Sequence, residues 1–275
     1  MREQHSLPPA PNVIAEVENF IRRYAILPEL AYLPLATWTV ATYMSAAFDL
    51  FPYIALVSAA KRTGKTLVLG LLEALCAKAR RITFPTLAAL CRLMADTPTL
   101  LLDDAGPLLG KQVSERSQAI RAVLTAGNGK GDSVFRCDGI NNEVKQFPIY
   151  GPKAFAVVGG LSDTVMCRSI CITMRPKTAK ETTTPFLQSQ ARAEAEPIRQ
   201  LLAKWAEENQ ATVSTAYESM EDLGFLTDRD ADLWMPLFAV CAVAALERLT
   251  ELERCAIALS GTRAPQRRRQ HQGDL

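Results

Sequence analysis

Short apolar runs alternate with amphipathic segments along most of the chain. The apolar runs have the length of strands and are bounded by proline, glycine or charged residues, which predicts buried strands at residues 52–58, 81–84, 98–104, 152–160 and 168–174. Around them, apolar residues recur at helical spacing and predict helices at residues 13–27, 35–48, 67–79, 85–96, 114–126, 187–209 and 229–259. This order predicts an α/β core with a parallel sheet, followed by a helical C-terminal part.

One pair of segments interrupts the alternation of strands and helices. Residues 133–137 and 143–147 alternate between apolar and polar side chains and flank the turn-rich segment 138–142. A helix predicted at 114–126 and the glycine-rich loop 127–132 precede them. The pattern predicts a β-hairpin over residues 133–147.

The longest uncharged stretch, residues 30–48, raises the question of a membrane span. Its length alone would be sufficient to cross a bilayer. However, it contains Pro34 and several hydroxyl side chains, and a second apolar segment follows directly after Asp49. We therefore predict a buried helix pair and no membrane attachment, with a membrane span as the alternative.

Composition narrows the classes of protein further. The chain has 275 residues, 48% of them hydrophobic and 22% charged, with a net charge of +2, so it is neither disordered nor uniformly basic. Seven scattered cysteines form no CxxC pair, and there are only two histidines, so the usual ligand spacing of a zinc site is missing. An odd number of scattered cysteines is typical of a reducing compartment and predicts a cytoplasmic protein.

The most specific chemical signal follows the predicted strand 52–58. The next eight residues fit the phosphate-loop pattern G-x-x-x-x-G-K-[ST] at every defined position but the first, and we take them as the nucleotide-binding segment: Ala59, Ala60, Lys61, Arg62, Thr63, Gly64, Lys65 and Thr66. In such a loop, backbone amides and a helix N-terminus bind phosphate oxygens. Lys65 is predicted to contact the β- and γ-phosphates of ATP, and Thr66 to bind Mg²⁺.

One departure from the motif and one alternative interpretation remain at the level of sequence. Ala59 stands where glycine is usual, and alanine does not readily adopt a positive φ. The segment is also compatible with a basic strand-to-helix turn that binds no ligand. The apolar strand before it and the apolar helix after it favour the phosphate loop.

A second signal is the acidic end of the predicted strand 98–104. Asp103 is predicted to hold Mg²⁺, directly or through water, and Asp104 to polarise the attacking water. Glutamate is more usual at the second position, and aspartate has a shorter reach. The alternative is a pair of acids that only terminates a strand at a turn.

A third signal is Arg168, which lies between two apolar segments after the predicted strand 152–160. An arginine in such a position can neutralise charge on a transferring γ-phosphoryl group, often from a neighbouring subunit. The alternative is a surface arginine at the start of a strand.

The ordered series of motifs resembles a known family. PYIALVSAAKRTGKT, PTLLLDDA, IRAVLTAGNGKGDSVFRC, the segment from VKQFPIYGP to MCRSICITM, and DLWMPLFAV are together similar to domain of unknown function family 3631, over residues 15–260. The resemblance implies a P-loop ATPase of the AAA+ or ring-helicase type from prophage, plasmid or integrative-element replication. Family members usually have Asp-Glu at the positions of Asp103-Asp104 and Asp-Arg at the positions of Cys167-Arg168.

The same resemblance implies a role for the hairpin. In ring helicases of this class, a hairpin before the sensor strand points into the central channel, where Lys130, Arg136 and Lys145 would contact DNA phosphates. The alternation of side chains predicts that Phe135 and Phe147 pack the hairpin instead of stacking on bases. An ordinary solvated hairpin is the alternative.

These observations predict four segments: an N-terminal helical segment (1–50), a P-loop ATPase core (51–176), a C-terminal helical region (186–260) and a disordered basic tail (261–275). The leading hypothesis is a Mg²⁺-dependent, helicase-like ATPase that forms a homo-oligomeric ring. Its expected partners are single-stranded or forked DNA and a primase-like replication protein of a mobile element. The alternative is a regulatory or primase-accessory nucleotide-binding module with weak or no hydrolysis.

Overall fold

The computed structural model describes residues 12–111, 114–138 and 143–261. Within them the strands are β1 (Tyr53–Ser58), β2 (Arg80–Ile82), β3 (Leu100–Leu102), β4 (Ser133–Asp138), β5 (Glu143–Pro148), β6 (Lys153–Val158) and β7 (Ser169–Thr173). The helices are α1 (Val13–Tyr24), α2 (Tyr32–Ala41), α3 (Lys65–Leu75), α4 (Leu87–Met94), α5 (Gly106–Leu109), α6 (Glu115–Ala126), α7 (Asp163–Met166), α8 (Gln188–Glu218), α9 (Asp228–Ala244) and α10 (Leu249–Gly261).

Five of the strands form one parallel sheet in the order β2-β3-β6-β1-β7. Strand β6 therefore lies between β3 and β1, although it follows both in the chain. The predicted α/β fold with a parallel sheet is confirmed. Strands β4 and β5 pair only with each other, antiparallel, which confirms the predicted hairpin and extends it to Pro148. The hairpin tip, residues 139–142, lies outside the described residues.

The two faces of the sheet are covered by different sets of helices. Ile54 and Leu56 of β1 belong to a core cluster formed with α1, α2, α3, α8, α9 and α10. Tyr53 and Ala55, which point to the other face, belong to a cluster formed with α4, α5, α6 and α7. The N-terminal and C-terminal helices thus share one core beside the sheet. The division of the chain into four segments stays a prediction.

The uncharged stretch 30–48 is part of this core. All ten residues of α2 are buried, and the Trp38 indole N–H donates to the Pro52 carbonyl at 2.8 Å. The predicted helix 35–48 is corrected in its bounds, because α2 ends at Ala41 and a 3₁₀ helix continues it over Thr42–Ala47. No helix in the described ranges has both the length and the apolar composition needed to cross a bilayer.

Two C-terminal helix predictions also change in their bounds. Helix α8 runs to Glu218, past the predicted end at residue 209. The predicted helix 229–259 is divided into α9 and α10, because Ala245 leaves the helical region with φ −159° and ψ 64°. The predicted disordered tail, 261–275, falls outside the described residues except for Gly261.

A buried lysine fixes the base of the hairpin to the sheet. Lys153, at the start of β6, is fully buried, and its Nζ donates to the carbonyls of Gly127, Ile149 and Gly151 at 2.8–3.2 Å. These carbonyls belong to the two chain segments that lead into and out of the hairpin. At Gly127 a Cβ would lie 1.9 Å from the Ile149 carbonyl oxygen, so no other residue fits there without a shift of the backbone.

Burial lowers the pKa of Lys153 to about 7. The unfolded chain keeps this proton up to about pH 10.5, so between these values it binds more protons than the folded chain. Burial also raises the pKa of four thiols, those of Cys76, Cys91, Cys241 and Cys255, and these act in the opposite direction from about pH 8 upwards, where they begin to lose protons in the unfolded chain. The lysine effect is therefore the larger one between pH 7 and 8, and the Lys153→Met variant separates it from that of Lys65, whose pKa burial also lowers.

We predict that the free energy of unfolding rises from pH 7 to 8, with a contribution from Lys153 that approaches about 1.4 kcal/mol per pH unit. Chemical denaturation at several pH values measures this slope. Lys153→Met should abolish the contribution, whereas Lys204→Met, at an exposed lysine, should keep it. A wild-type stability that is flat or falling over this window would contradict the prediction.

Candidate functional site

The segment Ala59–Thr66 comprises the loop between β1 and α3 and the first two residues of α3, which agrees with the strand, loop and helix that the sequence predicts. Gly64 has φ +84° and directly precedes α3, so the first amides of that helix are not capped by any side chain. Arg62 also has a positive φ, of +62°. Ala59 is not among the described residues with positive φ. Alanine at this position therefore does not strain the loop, which removes the conformational objection to the motif.

Lys65, the first residue of α3, is folded back over the loop. It is 8% exposed, and its Nζ donates to the Ser58 Oγ, to the Thr63 Oγ1 at 3.1 Å and to the Ala60 carbonyl at 3.4 Å. Burial lowers its pKa, while the charges of Asp103 and Asp104 act in the opposite direction. All three acceptors are uncharged, so none of these hydrogen bonds is an ion pair.

Thr66 and Asp103 meet on the same side of the loop. The Thr66 hydroxyl donates to the Asp103 Oδ1 at 3.1 Å, although the two residues are 37 positions apart. Because β6 separates β1 from β3, this contact reaches across one strand of the sheet. A hydroxyl and a carboxylate oxygen at this spacing are the oxygen ligands that Mg²⁺ prefers, with water completing its shell.

Asp104 lies next to this pair and adopts a strained backbone. Its φ is +50°, in the left-handed region, and its amide N–H donates to the Asp103 Oδ1 at 3.1 Å. The side chain is exposed at the rim of the site. Such a conformation in a non-glycine residue is uncommon, although aspartate tolerates it better than most residues do.

These residues surround one cavity of about 370 Å³. Its lining comprises Lys61, Arg62, Thr63, Gly64, Lys65, Thr66, Asp103, Asp104, Ala156 and Val158. Ala59 and Ala60 do not line it, and Ala60 contributes only its carbonyl to Lys65. The sequence did not indicate Ala156 or Val158 as part of this site. The signal for Ser58 was its place as the last residue of the strand before the loop.

Arg168 does not approach this cavity in the same chain. Ser169, which follows it, pairs with Tyr53 at the start of β1, whereas the loop follows Ser58 at the other end. Five strand residues correspond to about 17 Å. The Arg168 side chain donates to the Thr164 carbonyl at 2.9 Å and to the Asn128 Oδ1 at 3.3 Å, and it stays partly exposed.

Two of the three predicted DNA contacts lie on the strands of the hairpin, and the third lies at its base. Arg136 and Lys145 are directly opposite on β4 and β5, on one face and both exposed. Like charges in this arrangement repel each other, which is costly unless an anion lies near them. Lys130 lies at the base, where its Nζ donates to the Ala46 carbonyl at 2.9 Å.

The expectation that both hairpin phenylalanines pack the hairpin is wrong for one of them. Phe147 is half-buried and lines a small cavity with α4 residues. Phe135 is 65% exposed. The register pairs Phe147 with Val134, so Phe135 and Phe147 lie on opposite faces of the hairpin. The face that carries Phe147 is the one that lies toward α4.

The described part of the chain holds no cluster of three or more His, Cys, Asp or Glu side chains that could form a metal site of their own. Its cysteines are free thiols. A metal at this site would therefore depend on Thr66, Asp103 and groups supplied by a bound ligand.

Comparisons with known proteins agree with the sequence resemblance in part. A family model described as "Protein of unknown function (DUF3631)" matches residues 173–269. This match begins at the last residue of β7 and contains the helices α8, α9 and α10, but not the candidate site. None of the curated proteins matches the chain with significance.

Solved structures are similar to this chain at low sequence identity. An MCM homolog from Methanopyrus kandleri is 14% identical, with a TM-score of 0.53, over 95% of this chain and 64% of the MCM chain. JCV helicase is 14% identical with a TM-score of 0.42, over 77% of this chain and 66% of its own. The NrS-1 C-terminal region is 12% identical with a TM-score of 0.42, over 90% and 70%. The chain thus spans slightly less than two thirds of the MCM and JCV chains. The similarity to the MCM homolog supports the α/β fold with a five-stranded parallel sheet.

The loop geometry yields a stability prediction. Ala59→Gly should lower the free energy of unfolding by about 0.5–1 kcal/mol, because it adds only unfolded-state entropy at a position without a positive φ. Arg62→Gly is the matched comparison at φ +62°, where relief of strain offsets that entropy, so its stability should be unchanged or higher. Thermal and urea unfolding measure both variants. The reverse order of the two stabilities would show that the strained position of the loop is residue 59.

Proposed function

We propose that this protein is a Mg²⁺-dependent P-loop ATPase, helicase-like, that acts on DNA during replication of a mobile genetic element. The observation that carries the proposal is the meeting of Lys65, Thr66, Asp103 and Asp104 around one cavity at the N-terminus of α3. A buried lysine, uncapped helix amides and two oxygen ligands form a site suited to a triphosphate and its metal.

Each residue has a distinct part in this proposal. Lys65 and the first amides of α3 bind the β- and γ-phosphates, and Lys65 exchanges its neutral hydroxyl and carbonyl partners for phosphate oxygens. Thr66 and Asp103 hold Mg²⁺, which when bound neutralises charge on the phosphates. Asp104 orients and polarises the attacking water from the rim of the cavity.

Arg168 completes the site from a neighbouring copy. Its position at the opposite edge of the sheet prevents it from reaching the phosphates of its own chain. A head-to-tail arrangement would bring the partly exposed guanidinium of one copy to the cavity of the next. The proposal therefore includes a homo-oligomeric ring.

The hairpin is the proposed contact with single-stranded or forked DNA. Arg136 and Lys145 place two positive charges on one face of an exposed ribbon, and Lys130 adds a third at its base. These side chains can neutralise phosphates without reading bases. The mobile-element setting, a primase-like partner and a cytoplasmic location derive their support from the sequence resemblance and the cysteine content.

A regulatory or primase-accessory module with weak or no hydrolysis is the second candidate. The exposed, strained Asp104 favours it, because glutamate is more usual there and aspartate extends less far into the cavity. Binding of ATP does not need Asp104, so this candidate keeps the nucleotide site and loses only turnover.

Purified protein should hydrolyse ATP in the presence of Mg²⁺, and single-stranded DNA should stimulate the rate. Lys65→Ala should lower turnover by about 100-fold or more, since it removes the cation that contacts the transferring phosphoryl group. Lys204→Ala, at an exposed lysine on α8, is the matched control and should retain the rate. ATP binding without turnover, unchanged by DNA, would replace the motor with the regulatory module; no ATP binding would refute both.

The action of Arg168 on a neighbouring copy predicts complementation between two inactive variants. Arg168→Ala and Lys65→Ala should each be inactive alone. An equimolar mixture should recover about a quarter of the wild-type rate, because a quarter of the sites combine an intact lysine with an intact arginine. Steady-state hydrolysis after mixing tests this, and a mixture no faster than the sum of its components would contradict action between copies.

A further inference from the structure

A second cavity, of about 630 Å³, lies far from the nucleotide site. Five cationic side chains line it: Lys78, Arg80, Arg81, Arg192 and Arg199. We call it the basic cavity. It opens between the end of α3, the start of β2 and one side of α8. Because β2 is parallel to β1, its start lies at the edge of the sheet opposite to the phosphate loop.

The basic cavity holds more positive charge than its carboxylates neutralise. Glu73 and Glu196 are the acids in its lining. Glu73 bridges Arg81 and Arg192, with N–O distances of 3.4 and 3.2 Å, and Glu196 pairs with Arg199 at 3.2 Å. Within the described residues neither Lys78 nor Arg80 forms an ion pair. Five cations against two acids leave a surplus of +3, larger than the +2 of the whole chain.

The cations are held on a fixed framework. Lys78 lies in the turn after α3 with φ +46°. That turn is anchored on two sides, by the Thr99 hydroxyl donating to the Ala77 carbonyl at 2.7 Å and by the Ala77 N–H donating to the Thr42 Oγ1 at 3.1 Å. Arg192 and Arg199 are seven residues apart on α8, two helical turns, and therefore lie on one side of the helix.

Protection of an edge strand does not account for this arrangement. Charged side chains on β2, such as Arg80 and Arg81, are a common means of preventing edge-to-edge pairing. The two arginines of α8 belong to a different element and have no edge to protect, yet they line the same cavity. A concave surface with a surplus of one charge concentrates the electrostatic potential and attracts counter-ions.

We propose that the basic cavity binds the phosphodiester backbone of nucleic acid. Guanidinium groups suit phosphate oxygens because they donate two parallel N–H bonds. The lining contains no aromatic ring for stacking and no amide side chain for reading base edges, so binding should be independent of sequence. The proposal takes its choice of ligand from the proposed action on DNA, but it requires neither ATP nor the hairpin.

The test is the binding of a fluorescein-labelled single-stranded oligonucleotide, without nucleotide, across a range of salt concentrations. The plot of log association constant against log salt concentration has a negative slope, and the double variant Lys78→Gln with Arg80→Gln should reduce its magnitude by about 1.4. The same variant should weaken binding about 25-fold at 0.1 M salt. Lys180→Gln with Lys204→Gln, an equal loss of charge at exposed lysines, should leave both quantities unchanged. Thermal unfolding verifies that both variants are folded.

Three outcomes would overturn the proposal: an unchanged slope in the first variant, an equal loss in the control variant, or displacement of the oligonucleotide by millimolar inorganic phosphate. The last would identify a site for small anions. Failure here is separable from failure of the proposed function, because ATP hydrolysis stimulated by DNA through the hairpin would persist without this cavity. Conversely, a nucleic-acid-binding basic cavity in a chain that does not hydrolyse ATP would leave this inference intact.

Discussion

The hydrogen bond between Thr66 and Asp103 depends on one constraint, the parallel direction of all five strands of the main sheet. Parallel strands place all their carboxyl ends at the same edge, so the loop after β1 and the acids after β3 converge there. Strand β6 lies between them with small and branched residues, Ala156 and Val158, which form the floor of the cavity without filling it. An antiparallel β3 would have placed Asp103 at the opposite edge.

The parallel direction of the strands also separates Arg168 from the loop after β1 and the acids after β3. Arg168 precedes its strand, so it lies at the amino edge of the sheet, about 17 Å from the loop. The hairpin base and the basic cavity also lie at that edge, together with the partly exposed Arg168. The proposed triphosphate site thus lies at one edge of the sheet, and the arginine proposed to complete it lies at the other. This division is the physical basis for proposing a ring.

Buried polar groups hold the amino edge in place. Lys153 satisfies three carbonyls that lead into and out of the hairpin, and Gly127 permits their close approach. The Tyr150 hydroxyl, 2.7 Å from the Phe48 carbonyl, joins the same region to the N-terminal segment. The hairpin therefore extends from an anchored base, while the Phe135 side chain on β4 remains 65% exposed.

The sequence by itself determined the strands, the parallel α/β class, the hairpin and the loop between β1 and α3, because apolar periodicity, turn residues and the Gly64-Lys65-Thr66 spacing are local signals. Helix ends were less predictable, since the change from α2 to a 3₁₀ helix and the break at Ala245 depend on packing. Only the tertiary structure decided that Thr66 contacts Asp103 and that Arg168 does not approach them. It also brought the cations of β2 and α8 into one cavity. Strand order and helix docking create such contacts between residues far apart in the chain, and no local pattern encodes them.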